Sequence, residues 1–233
     1  MDLRVFETAD EAAAAAAKWL SASLGESARQ RGEATLALSG GRTPWRMLEG
    51  LGHDDLPWPQ LRVFQVDERA VPPDDQRRNG RRIMQLLVRA GRLDRTRFHA
   101  MAAENDSLDA AAAAYAEVLA TYLGTPPVLD VVQLGLGADA HTASLVPDDA
   151  LLSVKDRTVG VCGVYQGTHR LSLTFPVLNA ARARLWLVTG ADKVTALSAL
   201  LAGDERVPCG RVRRDASVVF ADAAAAAMAP ESA

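Results

Sequence analysis

Apolar and polar positions along the chain follow two alternating periods. The alanine-rich stretch from Ala9 to Arg31, with charges at intervals and Trp19, Leu20 and Leu24 on one side, predicts a helix. Ala34 to Leu38 is a short apolar run ending at Ser39-Gly40-Gly41, as a buried strand entering a turn would be. Thr43-Pro44 then opens a helix towards Leu51, with Thr43 as the expected cap and proline tolerated in the first turn. Leu61 to Val66 predicts a second strand ending at Asp67. A loop with Pro72 and Pro73 follows, then a helix from about Asn79 to Ala90.

The second half repeats the scheme. Leu108 to Leu123 is helical, and Leu129 to Leu134 is the cleanest buried strand, running into Gly135-Leu136-Gly137. Thr158 to Val164 and Arg170 to Phe175 read as two strands around a turn at Gln166-Gly167-Thr168. Leu185 to Thr189 is a strand, Ala191 to Leu201 a helix, and Val218 to Phe220 a last short strand. Alternation of this kind predicts an α/β fold with a mostly parallel, Rossmann-like sheet covered on both faces, and no boundary divides residues 1–233.

Composition narrows the function classes. The chain is 48% hydrophobic and 24% charged with a net charge of −3, and its basic residues are dispersed, so no nucleic-acid partner is expected. Cys162 and Cys209 have no C-x-x-C spacing and read as buried thiols, neither a disulfide nor a metal site. No metal or cofactor is expected. No apolar run approaches the ~18 residues of a membrane span, and the start of the chain carries no export signal, so a cytoplasmic location is expected. Oligomeric state is left open.

Ligands of parallel α/β sheets bind beyond the carboxyl ends of the strands, and there the polar, glycine-rich segments cluster. Ser39, Gly40, Gly41 and Thr43 offer close backbone approach, helix N–H groups and hydroxyls, which suits a phosphate. The segment is no Walker A loop, and Ala37 two residues before Ser39 spoils a nucleophile elbow. Gly135 to Ala140 matches G-x-G-x-x-A, but Pro147 argues against the long helix a dinucleotide site needs. Asp139 and His141 lie two apart just past a strand, an arrangement able to orient an imidazole for proton abstraction; alone, an Asp-x-His pair is more commonly a surface histidine beside a capping aspartate.

Five blocks in order resemble the 6-phosphogluconolactonase family. They are Leu38 to Pro44; Asp67 to Pro72 with Asn79; Gly135 to Pro147; His169 to Thr174; and Gly190 to Lys193. Ala140 and Arg78 depart from that family's pattern, where glycine and serine are usual. The resemblance implies a three-layer α/β sandwich related to sugar-phosphate isomerases and deaminases, and cofactor-free hydrolysis of 6-phospho-D-glucono-1,5-lactone. On that basis His141 is the expected general base, oriented by Asp139, with Arg69 or the backbone at Gly40 and Gly41 at the oxyanion. Arg170 and Lys193, helped by Ser39, Gly41 and Thr43, would hold the phosphate, while Asp67 and Asn79 would meet sugar hydroxyls or brace the Arg69 loop. His53, His99 and His169 read as structural. An amino-sugar-phosphate deaminase would need a glutamate within Thr142 to Pro147, where none stands; a non-catalytic sugar-phosphate sensor is the other alternative.

Overall fold

The computed structural model describes residues 1–52 and 55–227; His53 lies outside them. Among the described residues, ten strands are distributed over two sheets. The strands are β1 (Asp2–Phe6), β2 (Ala34–Leu38), β3 (Leu61–Gln65), β4 (Asp67–Arg69), β5 (Phe98–His99), β6 (Val131–Leu134), β7 (Val159–Tyr165), β8 (Thr168–Leu173), β9 (Ala183–Val188) and β10 (Ser217–Asp222). The main sheet has seven strands in the order β1-β10-β9-β6-β2-β3-β5, every pair parallel. From β2 the chain winds through β3 to β5. It then returns to place β6 on the other side of β2. The winding direction therefore reverses between β2 and β6, which opens a crevice beyond their carboxyl ends.

Strict side-chain alternation divides the core into two layers. Leu36, Leu38, Val63, Val131, Leu185 and Phe220 face helices α1 (Ala9–Arg31), α2 (Arg42–Glu49) and α3 (Asn79–Ile83). Ala37, Phe64, Val132, Leu134, Trp186 and Val219 face α4 (Leu108–Leu123), α5 (Phe175–Ala180), α6 (Val194–Ala202) and the second sheet. Thus the three layers expected from the sequence are present. Thr8 caps α1 in a reciprocal box with Glu11, and Gly32 closes it in the left-handed conformation. Leu20 and Leu24 are fully buried, and Trp19 packs against the same layer.

Several expectations need correction. Thr43 is not a cap: α2 starts at Arg42 after Gly41, and the Thr43 hydroxyl instead meets that of Thr189 at 2.6 Å. The helix expected from Asn79 to Ala90 is α3 followed by a π turn over Met84–Val88. The β7–β8 hairpin does not join the parallel sheet. With β4 it forms a separate antiparallel sheet in the order β4-β8-β7, because the chain leaves β3 at Val66 and turns to pair with β8. Strands β1, β4 and β5 were not expected. Both cysteines are free and buried, as expected.

His99 serves packing. Its ring stacks on Phe64 at 4.9 Å and on Tyr122 at 4.5 Å, and Arg62 Nη1 lies 3.2 Å from Nε2. Burial, with the nearby charge of Arg62, pushes its pKa from 6.5 down to about 4. The unfolded chain takes up this proton first, so the stabilisation is complete above about 6.5 and is lost as pH falls towards about 4. For this half-buried ring, solvent screening reduces the effect to about 1–2 kcal/mol. Urea unfolding of His99→Phe should therefore show a smaller loss of stability between neutral and mildly acidic pH, by about 1 kcal/mol; an unchanged pH dependence would contradict this role.

Candidate active site

A cleft of about 430 Å³ lies over the crevice between β2 and β6, lined from the carboxyl ends of the large sheet and from the small sheet. Ser39, Gly40, Gly41 and Thr43 line it after β2, and Gly137 and His141 after β6. Gly190 and Lys193 follow β9, and Asp67, Arg69 and Arg170 come from the small sheet. Nine of the eleven residues singled out from the sequence line the cleft, and Asp139 bonds the His141 ring from beside it. Asn79 is the exception. It is buried behind the wall, its side-chain amide donating to Asp67 O at 3.1 Å, so it braces the loop.

The glycines are demanded by close approach. A Cβ at Gly40 would overlap the Asn79 amide, and one at Gly137 would overlap the His141 ring and the Asp139 carboxylate. Gly41 has φ 137°, which side chains rarely adopt. The turn after β6 closes with Gly137 N–H donating to His141 O at 2.8 Å and Ala140 N–H donating to Gly137 O at 3.0 Å. Ala140 sits at φ 65°, the left-handed conformation that costs alanine about 1 kcal/mol. Its methyl is buried in the core, which offsets part of that cost.

Asp67 joins three segments. Its carboxylate accepts from the Ser39 hydroxyl at 3.0 Å and from the Ser144 hydroxyl at 2.7 Å, tying the glycine turn and the histidine loop to β4. Beside it, Glu68 is fully buried and accepts from Asn79 N–H, Gly80 N–H, Arg69 N–H and the Gln65 amide. Arg78 lies 3.3 Å from Glu68 and also donates to Val71 O and Met101 O. The arginine that departs from the family pattern is thus the partner of a buried carboxylate.

The Asp139–His141 pair is compact. Asp139 Oδ1 is 2.6 Å from His141 Nδ1, and Oδ2 accepts from the Tyr165 hydroxyl at 2.9 Å. Burial raises the Asp139 carboxyl, but His141 and Tyr165 outweigh it and hold the group below its ordinary range. With the carboxylate on Nδ1, the proton resides there and Nε2 carries the lone pair. Tyr165 was not singled out from the sequence; its place just before Gln166-Gly167 marks a turn, yet nothing local says which strand it faces.

Opposite stand two cations. Arg69 and Arg170 are register partners across β4 and β8, and the buried Nε of each has no partner among the described residues. Arg69 donates to Arg77 O at 2.6 Å and Arg170 to Gln166 Oε1 at 3.2 Å. Burial and the Arg69 charge lower the Arg170 pKa. Directly opposed like charges are unfavourable in a sheet, and an anion between them relieves the repulsion. Lys193 lies 3.0 Å from Asp192. The remaining histidine, His169, has Nδ1 3.2 Å from Cys162 O and does not line the cleft.

The family model for glucosamine-6-phosphate isomerases/6-phosphogluconolactonase matches residues 7–220. The chain belongs to that family. Members of the glucosamine-6-phosphate isomerase/6-phosphogluconolactonase family similar to it include the 6-phosphogluconolactonase of Streptomyces coelicolor, 37% identical over 94% of this chain and 91% of the relative. That of Nostoc sp. is 39% identical over 75% and 74%. The solved 6-phosphogluconolactonase from Trypanosoma cruzi is 26% identical, with a TM-score of 0.87 over 98% of this chain and 97% of that one. A monomeric glucosamine-6-phosphate deaminase shares the family fold at a TM-score of 0.83 and 18% identity.

The overlap at Gly137 generates a test. Gly137→Ala should push the imidazole aside and lower kcat by roughly 10- to 100-fold while thermal unfolding shows a native-like transition. Wild-type kcat in that variant would show that the ring needs no such clearance.

Proposed function

We propose that the protein hydrolyses 6-phospho-D-glucono-1,5-lactone to 6-phospho-D-gluconate, within the pentose phosphate pathway and in the cytoplasm. The observation that carries this reading is one cleft holding two unpartnered arginine Nε groups and an imidazole whose Nδ1 is occupied by a carboxylate. The first feature selects a small anion; the second leaves Nε2 as the base. Homologues named 6-phosphogluconolactonase supply the substrate.

In this mechanism His141 Nε2 removes a proton from water as the water oxygen bonds to the lactone carbonyl carbon. Asp139 stabilises the imidazolium that forms. Arg69 takes the developing oxyanion, where a fixed cation in a cleft contributes most. When the tetrahedral centre collapses, the bond from carbon to ring oxygen breaks and His141 returns its proton to that oxygen. No covalent intermediate is needed, because the lactone is already reactive and positioning supplies the rest. Arg170 and Lys193 hold the phosphate, with the Gly41 backbone, Ser39 and Thr43 at the mouth of the turn. Asp67 and Asn79 brace this wall.

A deaminase reading is not favoured. The segment from Thr142 to Pro147 carries no carboxylate, and Ser144 within it is committed to Asp67.

In a proton-release assay corrected for spontaneous opening, His141→Ala should lower kcat by at least ~100-fold; near-normal turnover would remove it as the base. Arg170→Ala should raise KM for the phosphorylated lactone by roughly tenfold or more and spare unphosphorylated gluconolactone, and equal effects on the two would show that Arg170 does not hold the phosphate.

A further inference from the structure

Tyr165 ends β7 at the tight turn of the small sheet, where Gln166 and Gly167 have φ 50° and 81°. Beside the cleft, the Tyr165 side chain stands between the two halves of the site, Arg170 and the Asp139–His141 pair. On one side the Arg170 guanidinium lies over the ring, 4.8 Å from its centroid. On the other, the His141 ring packs edge-on at 5.2 Å between centroids. The hydroxyl donates to Asp139 Oδ2 at 2.9 Å and lies 3.3 Å from His141 Nδ1.

We infer that Tyr165 is a positioning residue joining the anion-binding cation to the proton-transfer pair: its ring shelves Arg170, while its hydroxyl fixes Asp139 and, through it, the His141 imidazole. The inference rests on the lactonase reading of the site but concerns a side chain that reading does not use. Two separable roles follow from one residue. The ring, against a guanidinium buried in the protein, contributes through its electron-rich face. The hydroxyl has a single proton, which it gives to Asp139. It therefore divides the negative charge of that carboxylate between phenol and imidazole. Burial, with the hydrogen bond to Asp139 and its charge, raises the phenol pKa, so the hydroxyl remains a donor throughout the working range.

The direction of the pH effect follows. Among the described residues only Asp139 and Tyr165 bond the His141 ring. The other charged groups of the cleft are Asp67, Arg69 and Arg170 from the small sheet and Arg42, Arg46, Asp192, Lys193 and Asp222 from the large one. These remain in place when only the phenol oxygen is removed. In Tyr165→Phe the whole Asp139 charge then falls on Nδ1–H, which favours the protonated ring and keeps the base blocked to higher pH.

Two variants and two readouts test this. Tyr165→Phe should lower kcat about threefold to tenfold with KM within twofold, the scale of one lost hydrogen bond. The acidic limb of its kcat/KM profile should move upward by about half a unit or more. Tyr165→Leu should show the same changes and in addition raise KM for the phosphorylated lactone about threefold, the scale of one lost cation–aromatic contact, with KM for unphosphorylated gluconolactone unchanged. NMR titration of the His141 ring in the ligand-free protein should show the same upward movement in Tyr165→Phe, without recourse to turnover. A Phe variant whose pH limb and ring titration both coincide with wild type would overturn the inference. Inactivity of the wild-type protein on the lactone would instead overturn the lactonase reading, and the ring titration would still decide whether Tyr165 acts on the pair.

Discussion

The site depends on one buried carboxylate. Asp67 receives the Ser39 hydroxyl from the turn after β2 and the Ser144 hydroxyl from the loop after β6. These are the two strands between which the sheet reverses its winding. Together with the Ser144 N–H to Ser172 hydroxyl bond and the backbone bonds through Val66, that junction sets the small antiparallel sheet against the crevice, and its arginines against His141. Glu68, next along, locks the same strand to the start of α3 through backbone N–H groups. A three-residue strand is thus held by its charged side chains more than by its ladder, and each buried charge is matched by donors, as burial requires.

From that frame the chemistry is divided between two walls. The histidine wall is anchored by the large sheet and made possible by the absence of a side chain at Gly137. The arginine wall belongs to the small sheet, where Arg69 and Arg170 are held side by side despite their repulsion. That repulsion is an energetic cost in the empty protein, which an anion seated between them would relieve.

Much of this was legible in the sequence, for identifiable reasons. Helices α1 and α4 and strand β2 end where expected, because alanine runs, caps and glycine turns are local signals. Ala140, noted from the sequence as standing where glycine is usual, does sit at a positive φ. Strand β1 escaped notice because an edge strand, half exposed, carries no buried run. Strand β4 escaped because Asp-Glu-Arg resembles a solvated loop until its distant partners are known. Asn79 and Arg78 show the same limit: the sequence left Asn79 open between sugar contact and bracing and marked Arg78 only as a departure from serine, because their partners, Asp67 and Glu68, lie about ten residues away in sequence and are fixed only by folding. Tyr165 depended on the register of a hairpin, which a turn signal does not give.

The most direct measurement is proton release from freshly made 6-phospho-D-glucono-1,5-lactone beside unphosphorylated glucono-1,5-lactone, each corrected for spontaneous opening. A site with its base on one wall and its anion clamp on the other predicts kcat/KM at least ~100-fold higher for the phosphorylated compound, since the clamp has nothing to hold in its absence. Rates no greater than the spontaneous ones, or equal acceleration of both lactones, would contradict it.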